Sequence, residues 1–158
     1  VYILMTPAID QLTHLAIAHH IHEYTHDAGA ASYGMEAAQK IGVVPQQVFK
    51  TLVVDTGSKR LAVAVLPVDQ QLNLKLMAKA IGAKRVVMAD PDAVSRSSGY
   101  VLGGVSPIGQ KRALTTVIDV SAQRFERIYV SGGRRGLEIE LAAKDLASVT
   151  EGQFAAIT

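Results

Sequence analysis

Neither cysteine nor tryptophan occurs among the 158 residues. The first absence excludes a disulfide framework, a zinc site built on thiolates and a cysteine nucleophile supplied by the protein. An excess of one charge is missing too, because 16 Lys+Arg stand against 14 Asp+Glu and leave a formal net charge of +2. No bulk field therefore announces a long phosphate footprint, and only a local basic patch is compatible with this balance. Apolar runs stay well short of the roughly 20 residues that cross a bilayer. The opening Val1-Tyr2-Ile3-Leu4 is too short for a signal-peptide core. The expectation is a soluble, cytoplasmic protein with no membrane partner.

What is present is apolar mass: 49% of the chain is hydrophobic, enough for one globular core in a chain of this length. We expect a single domain over residues 5–158. Met5-Thr6-Pro7 reads as a natural start, with Thr6 as a helix cap and Pro7 at the first helical position. Residues 1–4 then read as an extension or tag remnant without a function.

Ile9, Leu12, Leu15 and Ala16 fall at helical spacing and predict an amphipathic helix from 7 to about 20. A short strand at 21–24 and a helix at 33–41 follow, the latter ended by Gly42, with Pro45 starting a single turn. The clearest hairpin joins 49–55 to 60–66 through Thr56-Gly57-Ser58-Lys59. Asn73 caps a helix to about residue 81, and 84–89 supplies a β-branched strand. Asp90-Pro91 starts another helix, which stops near Gly99. Beyond a long glycine-punctuated loop, strands are expected at 113–118, 127–130 and 137–141, with short helices at 121–126 and 143–149. The order is α+β: a strongly curled, barrel-like mixed β-sheet flanked by helices.

Chemistry is sparse. Lys50 heads an apolar strand in Phe49-Lys50-Thr51-Leu52, and two readings stand. Its stem covers core while the ammonium reaches water, or the strand holds it at a pocket mouth where it binds an oxygen or steadies a polarised carbonyl. Gly104 and Gly109 have the spacing of a phosphate loop, but Gln110 stands where the lysine belongs and Pro107 removes an amide. Gly103-Gly104 can instead bring bare main-chain amides close to a ligand, or form no more than a tight turn. Ser131-Gly132-Gly133 offers a second such place. The five histidines lie between residues 14 and 26, where a helix and a strand point them apart, so no metal site is expected. No G-x-S-x-G elbow supports a serine triad.

Met5-Thr6-Pro7-Ala8-Ile9-Asp10, Tyr24-x-His26-Asp27, Phe49-Lys50-Thr51-Leu52, Leu72-Asn73-Leu74-Lys75, the segment from Gly103-Gly104-Val105-Ser106-Pro107 to Lys111, and Tyr129-Val130-Ser131-Gly132-Gly133-Arg134-Arg135-Gly136 occur in one order over almost the whole chain. In that order they resemble the YbaK/EbsC family of free-standing Cys-tRNA(Pro) deacylases, related to the editing insertion of bacterial prolyl-tRNA synthetases. The resemblance implies a curled mixed sheet and a trans-editing hydrolase acting on cysteine esterified to the 3′ adenosine of proline transfer RNA. It also implies substrate-assisted chemistry, in which the thiol of the cysteine attacks its own ester. Lys50 and Gly103 would then be the catalytic positions, and Tyr24, Tyr33, Thr51, Gly104, Ser131 and Glu138 would bind substrate. Tyr33 departs from the phenylalanine common there. No cofactor or metal is implied; the partners are aminoacylated transfer RNA and prolyl-tRNA synthetase. The alternatives are a deacylase for alanine or another small amino acid on transfer RNA, and a non-catalytic module that binds aminoacyl-tRNA or a synthetase.

Overall fold

The computed structural model describes residues 5–30, 32–58 and 60–158; the four residues read as an extension, and Lys59 of the hairpin turn, lie outside them. The elements in chain order are α1 Pro7–His14, β1 His20–Glu23, α2 Tyr33–Ile41, β2 Phe49–Asp55, β3 Leu61–Pro67, α3 Leu74–Ile81, β4 Val87–Met88, α4 Pro91–Ser98, β5 Thr115–Asp119, β6 Arg127–Ser131, β7 Leu137–Ala142, α5 Ala143–Thr150 and β8 Gln153–Ala155. Short 3₁₀ turns occupy Pro45–Gln47 and Val120–Arg124.

Local chemistry sets most of the helix ends. Thr6, Ser32, Asn73 and Asp90 each accept a hydrogen bond from a first-turn amide, and Gly42, Gly82 and Gly99 close three helices in the left-handed conformation. Helix α1 stops at His14, well before the residue 20 that its periodicity predicts. There the chain turns through Ala16 at φ 55, and the Ile17 amide donates back to the Leu12 carbonyl at 3.0 Å. That turn delivers Ile17 to the core and leaves Leu15 at 51% exposure. Residues 84–89 form only the two-residue β4, and the expected helix at 121–126 is the 3₁₀ turn. Strand β8 was not anticipated from the sequence.

The strands form two sheets. One is antiparallel in the order β1-β7-β6, and the other is mixed in the order β4-β2-β3-β5-β8, with β3–β5 and β5–β8 parallel. A single parallel bridge, Val48 to Tyr129, joins them. The curled mixed architecture is therefore present, but among the described residues the strands do not close into a barrel.

Strand β3 reads Leu-Ala-Val-Ala-Val-Leu-Pro without polar alternation because both of its faces are covered. Val63 and Val65 enter a core with Phe49, Val53, Ile9, Leu12 and Leu146, while Ala62, Ala64 and Leu66 face Met77 and Ala78 of α3. Each fully buried Val, Leu, Ile, Phe or Met side chain among them contributes about 1.5–3 kcal/mol. A third cluster seats Ala37 and Ala38 of α2 on Val48, Val68 and Tyr129, at the join of the two sheets. Gly34 makes that seat close, since a Cβ there would lie 2.3 Å from Val68 Cγ1. The contact fixes where the neighbouring Tyr33 stands.

Candidate active site

Strand β2 is where the two sheets part. At one end Val48 bridges Tyr129 and accepts from the Val68 amide at 2.9 Å, on its β3 side. At the other end Val54 and Asp55 pair with Met88 and Val87, and the Val53 carbonyl accepts from the Ala89 amide at 3.0 Å, on the side away from β3. Main-chain groups alternate in direction along an antiparallel strand. The N–H and C=O of Thr51 therefore point away from β3, into the gap left between β6 and β4.

That gap opens into a cleft of about 410 Å³. Lys50 and Thr51 belong to opposite faces of β2, yet both reach the cleft because it wraps the free edge of the strand. Tyr24 and Tyr33 approach from the segment after β1 and from α2, Gly103 from the loop between α4 and β5, and Ser131 and Glu138 as a cross-strand pair of β6 and β7. Seven of the eight residues singled out by sequence thus share one cavity.

Gly104 is the exception and corrects the expectation for the glycine pair. It is buried behind the loop, its amide donates to the Val101 carbonyl at 3.0 Å, and a Cβ on it would stand 2.6 Å from Arg134 Cα. Gly103 alone faces the cavity. It lies at φ +89, and a Cβ on it would come within 2.9 Å of the Tyr33 ring, so only glycine fits. No main-chain acceptor takes its N–H among the described residues. The loop behind it is pinned: Tyr100 Oη donates to the Ile108 carbonyl at 2.7 Å, and Ser106 Oγ accepts from the Ile108 amide at 3.2 Å.

The electrostatics are unusual for so small a cavity. Burial lowers the Lys50 pKa, with Asp69 acting in the opposite direction, and no carboxylate lies within ion-pair distance among the described residues. Thr51 Oγ1 is buried without a hydrogen-bond partner. Burial also pushes the Glu138 carboxyl up to about 8, so at neutral pH it is mostly the neutral acid. Tyr24 is raised to about 12 by burial and by Glu138 and Glu36. Among the described residues no histidine lines the cleft, so its serines have no imidazole base of the Ser–His kind.

Sequence reasoning missed Arg135. Its guanidinium stacks 3.8 Å above the Tyr33 ring, and Nη2 donates to the Asp27 carbonyl at 3.3 Å and lies 3.8 Å from Glu36 Oε1. The stack fixes Tyr33 at the rim, where the residue keeps 47% exposure. Nothing local in the Ser-Gly-Gly-Arg-Arg-Gly turn predicts this, because the partners come from α2 and the segment before it. A second cavity, of about 480 Å³, lies among β1, β7 and the start of α5. It shares no lining residue with the first, and its charges are mixed: His19, His20, Arg127 and Lys144 against Glu126, Glu140 and Asp145.

Glu138 carries a stability prediction. The folded protein keeps its proton up to about pH 8 whereas the ordinary carboxyl loses it near 4.5; folding thus binds a proton, and stability falls as pH rises between those values. Glu138→Gln, a neutral isostere, is expected to match the parent at pH 4.5 and to exceed it by a few kcal/mol at pH 8. Denaturant melts at the two pH values measure this, and a stability difference independent of pH contradicts it.

Comparison with known proteins bears on the family and the fold. The family model of the aminoacyl-tRNA editing domain matches residues 28–149. A protein of Enterococcus faecalis, EbsC, described as a candidate Cys-tRNA(Pro)/Cys-tRNA(Cys) deacylase, is 43% identical over 121 residues, covering 77% of this chain and 74% of its own. The multifunctional Ser/Thr-tRNA deacylase ProXp-y of Escherichia coli is 28% identical over 99 residues, 62% of this chain and 59% of its own. Among solved structures, a candidate trans-editing enzyme for prolyl-tRNA synthetase superposes with a TM-score of 0.79 at 24% identity, covering 89% of this chain and 86% of that one. The chain belongs to the aminoacyl-tRNA editing domain family, as a member of the YbaK/EbsC kind.

Proposed function

We propose that this protein is a trans-editing hydrolase that removes cysteine from mischarged Cys-tRNA(Pro), with the thiol of the bound cysteine as the attacking group. The observation that carries the reading is the convergence on one cleft of an ammonium, Lys50, and a main-chain N–H with no acceptor, Gly103, in a cavity that holds no histidine to activate a nucleophile. Such a site stabilises negative charge on an ester carbonyl oxygen and leaves the attack to the substrate. The thiol gives up its proton as the sulfur bonds to the carbonyl carbon, the bond to the ribose oxygen breaks, and that oxygen takes up a proton in its turn. Cysteine leaves as a four-membered thiolactone, which water opens.

The other lining residues fit an aminoacyl adenosine. Thr51 offers a hydroxyl and main-chain groups, Ser131 and Tyr24 offer further hydrogen bonds, and neutral Glu138 donates without repelling an ester oxygen. Tyr33, close beside Gly103 and stacked under Arg135, presents the exposed part of its ring to the terminal base. EbsC is named for both Cys-tRNA(Pro) and Cys-tRNA(Cys), and the structural relative as a trans-editing enzyme for prolyl-tRNA synthetase; these names support a cysteinyl ester of transfer RNA as substrate and that synthetase as a partner.

The deciding experiment offers the purified protein Cys-tRNA(Pro) and follows the loss of the esterified amino acid. Release well above the spontaneous rate is the expected outcome; binding of the charged transfer RNA without release would make the protein a non-catalytic module.

A further inference from the structure

The net charge of +2 conceals an uneven distribution. Between residues 70 and 118 the only acids are Asp90 and Asp92, against Lys75, Lys79, Lys84, Arg85, Arg96, Lys111 and Arg112. Both acids sit at the N-terminal end of α4, where Asp90 Oδ2 accepts from the Asp92 and Ala93 amides. At the opposite end of that helix three cations gather. Arg96 lies in its last turn, and the chain returning from the glycine loop is tied to the same turn, the Lys111 amide donating to the Ser98 carbonyl at 2.9 Å and the Arg112 amide to the Ser97 carbonyl at 3.0 Å. All three are exposed, and none is within ion-pair distance of a carboxylate among the described residues.

Helix α4 ties this cluster to the cleft. Pro91 and Val94, at its start, line the cavity. Its eight residues rise by about 1.5 Å each, a length of about 12 Å. At about 3.4 Å per stacked nucleotide, that length corresponds to three to four nucleotides. We infer that Arg96, Lys111 and Arg112 bind backbone phosphates of the transfer-RNA acceptor end, immediately before the terminal adenosine held in the cleft. The inference rests on the proposed function for the identity of the cleft's occupant, and it adds that this chain itself holds the polynucleotide, not the aminoacyl adenosine alone. A role confined to the fold, cations complementing the negative end of a helix, requires only one or two of the three and no open face.

The test compares the parent with the Arg96→Ala/Lys111→Ala/Arg112→Ala variant on Cys-tRNA(Pro) and on the minimal ester 3′-O-cysteinyl-adenosine. The expected result is a KM for the charged transfer RNA raised roughly tenfold with kcat unchanged, and no change on the minimal ester. The charge-conserving Arg96→Lys/Lys111→Arg/Arg112→Lys variant should restore the parent KM. Equilibrium binding of uncharged tRNA(Pro) supplies a readout independent of turnover. There the slope of log affinity against log salt should fall by about 2 to 3 in the alanine variant, one step of roughly 0.7–0.9 per lost phosphate contact. If the parent releases nothing from either ester, the proposed function fails while the binding slope still judges the surface. An unchanged slope and KM overturn the inference, as does an equal loss on the minimal ester. A loss that appears only when prolyl-tRNA synthetase is present overturns it as well, since the cluster would then be a protein interface.

Discussion

Lys50→Ala is expected to lower kcat/KM for release from Cys-tRNA(Pro) by about 10²–10³-fold, the loss seen when one preorganised donor is removed from a developing oxyanion. Among the described residues two cations line the cleft and one of them is free to serve: Arg135 is occupied by the Tyr33 ring and the Asp27 carbonyl, whereas Lys50 has no carboxylate within ion-pair distance. Its partial burial weakens the solvation of the ammonium and strengthens its pull on any oxygen brought into the cavity. Alanine also removes a four-carbon stem from an apolar strand, so the loss alone does not isolate the charge. Lys50→Met keeps the stem, and we expect it to be as inactive as the alanine variant while melting within about 1 kcal/mol of the parent, because a half-buried lysine with no ion pair among the described residues contributes little net stability. Single-turnover release with saturating enzyme, together with a thermal melt, measures both. Full activity in the methionine variant would mean that the ammonium has no part in the reaction.

The fold was legible where the signal is local. Asn73 with Gly82, and Asp90-Pro91 with Gly99, fixed α3 and α4 to within a residue, because a capping side chain and a left-handed glycine act on the turn they belong to. The β2–β3 hairpin was as clear. What failed is long-range. Strand β8 is three residues and exists only because β5 offers it a parallel edge, and β4 is cut to two residues because the chain leaves the sheet at Ala89 to begin α4. The parting of the sheets at β2, which makes the cleft, has no counterpart in any window of sequence. It depends on Val48 meeting Tyr129 from far along the chain.

The site shows the same division. Lys50, Thr51 and Ser131 come from strands whose pattern was plain, and the resemblance put them in one list with Tyr24, Tyr33, Gly103 and Glu138. Which glycine of the pair turns inward was not readable. A turn bond from Gly104 to Val101 and the pressure of Arg134 decide it. The neutral state of Glu138 was hidden as well, since its cause is burial by surrounding elements and not a neighbour in sequence.

The proposed attack by the substrate thiol gives the sharpest outcome. On one and the same transfer RNA, the cysteinyl ester should be released on the order of 100-fold or more faster than the seryl ester, although the two side chains differ by a single atom of nearly the same size. A pocket that reads only shape cannot reach this ratio, because such small differences are worth about 1–3 kcal/mol at best. Chemistry reaches it easily: a thiol near pKa 8.5 is a few per cent thiolate at neutral pH, whereas a hydroxyl is not ionised at all. The cleft lacks a histidine that would activate water or a serine hydroxyl in its place. The contrast is pointed because the relative ProXp-y is named for acting on serine and threonine esters, so the fold does not dictate the substrate. Release from Cys-, Ser- and Ala-tRNA(Pro) should be timed at pH 6.5 and pH 8. Under the thiol mechanism the cysteinyl rate climbs with pH as the thiolate fraction grows, and the alanyl ester, which has no attacking group, stays at the spontaneous rate. Equal turnover of the seryl and cysteinyl esters would instead place the nucleophile in water, held by Lys50 and Gly103.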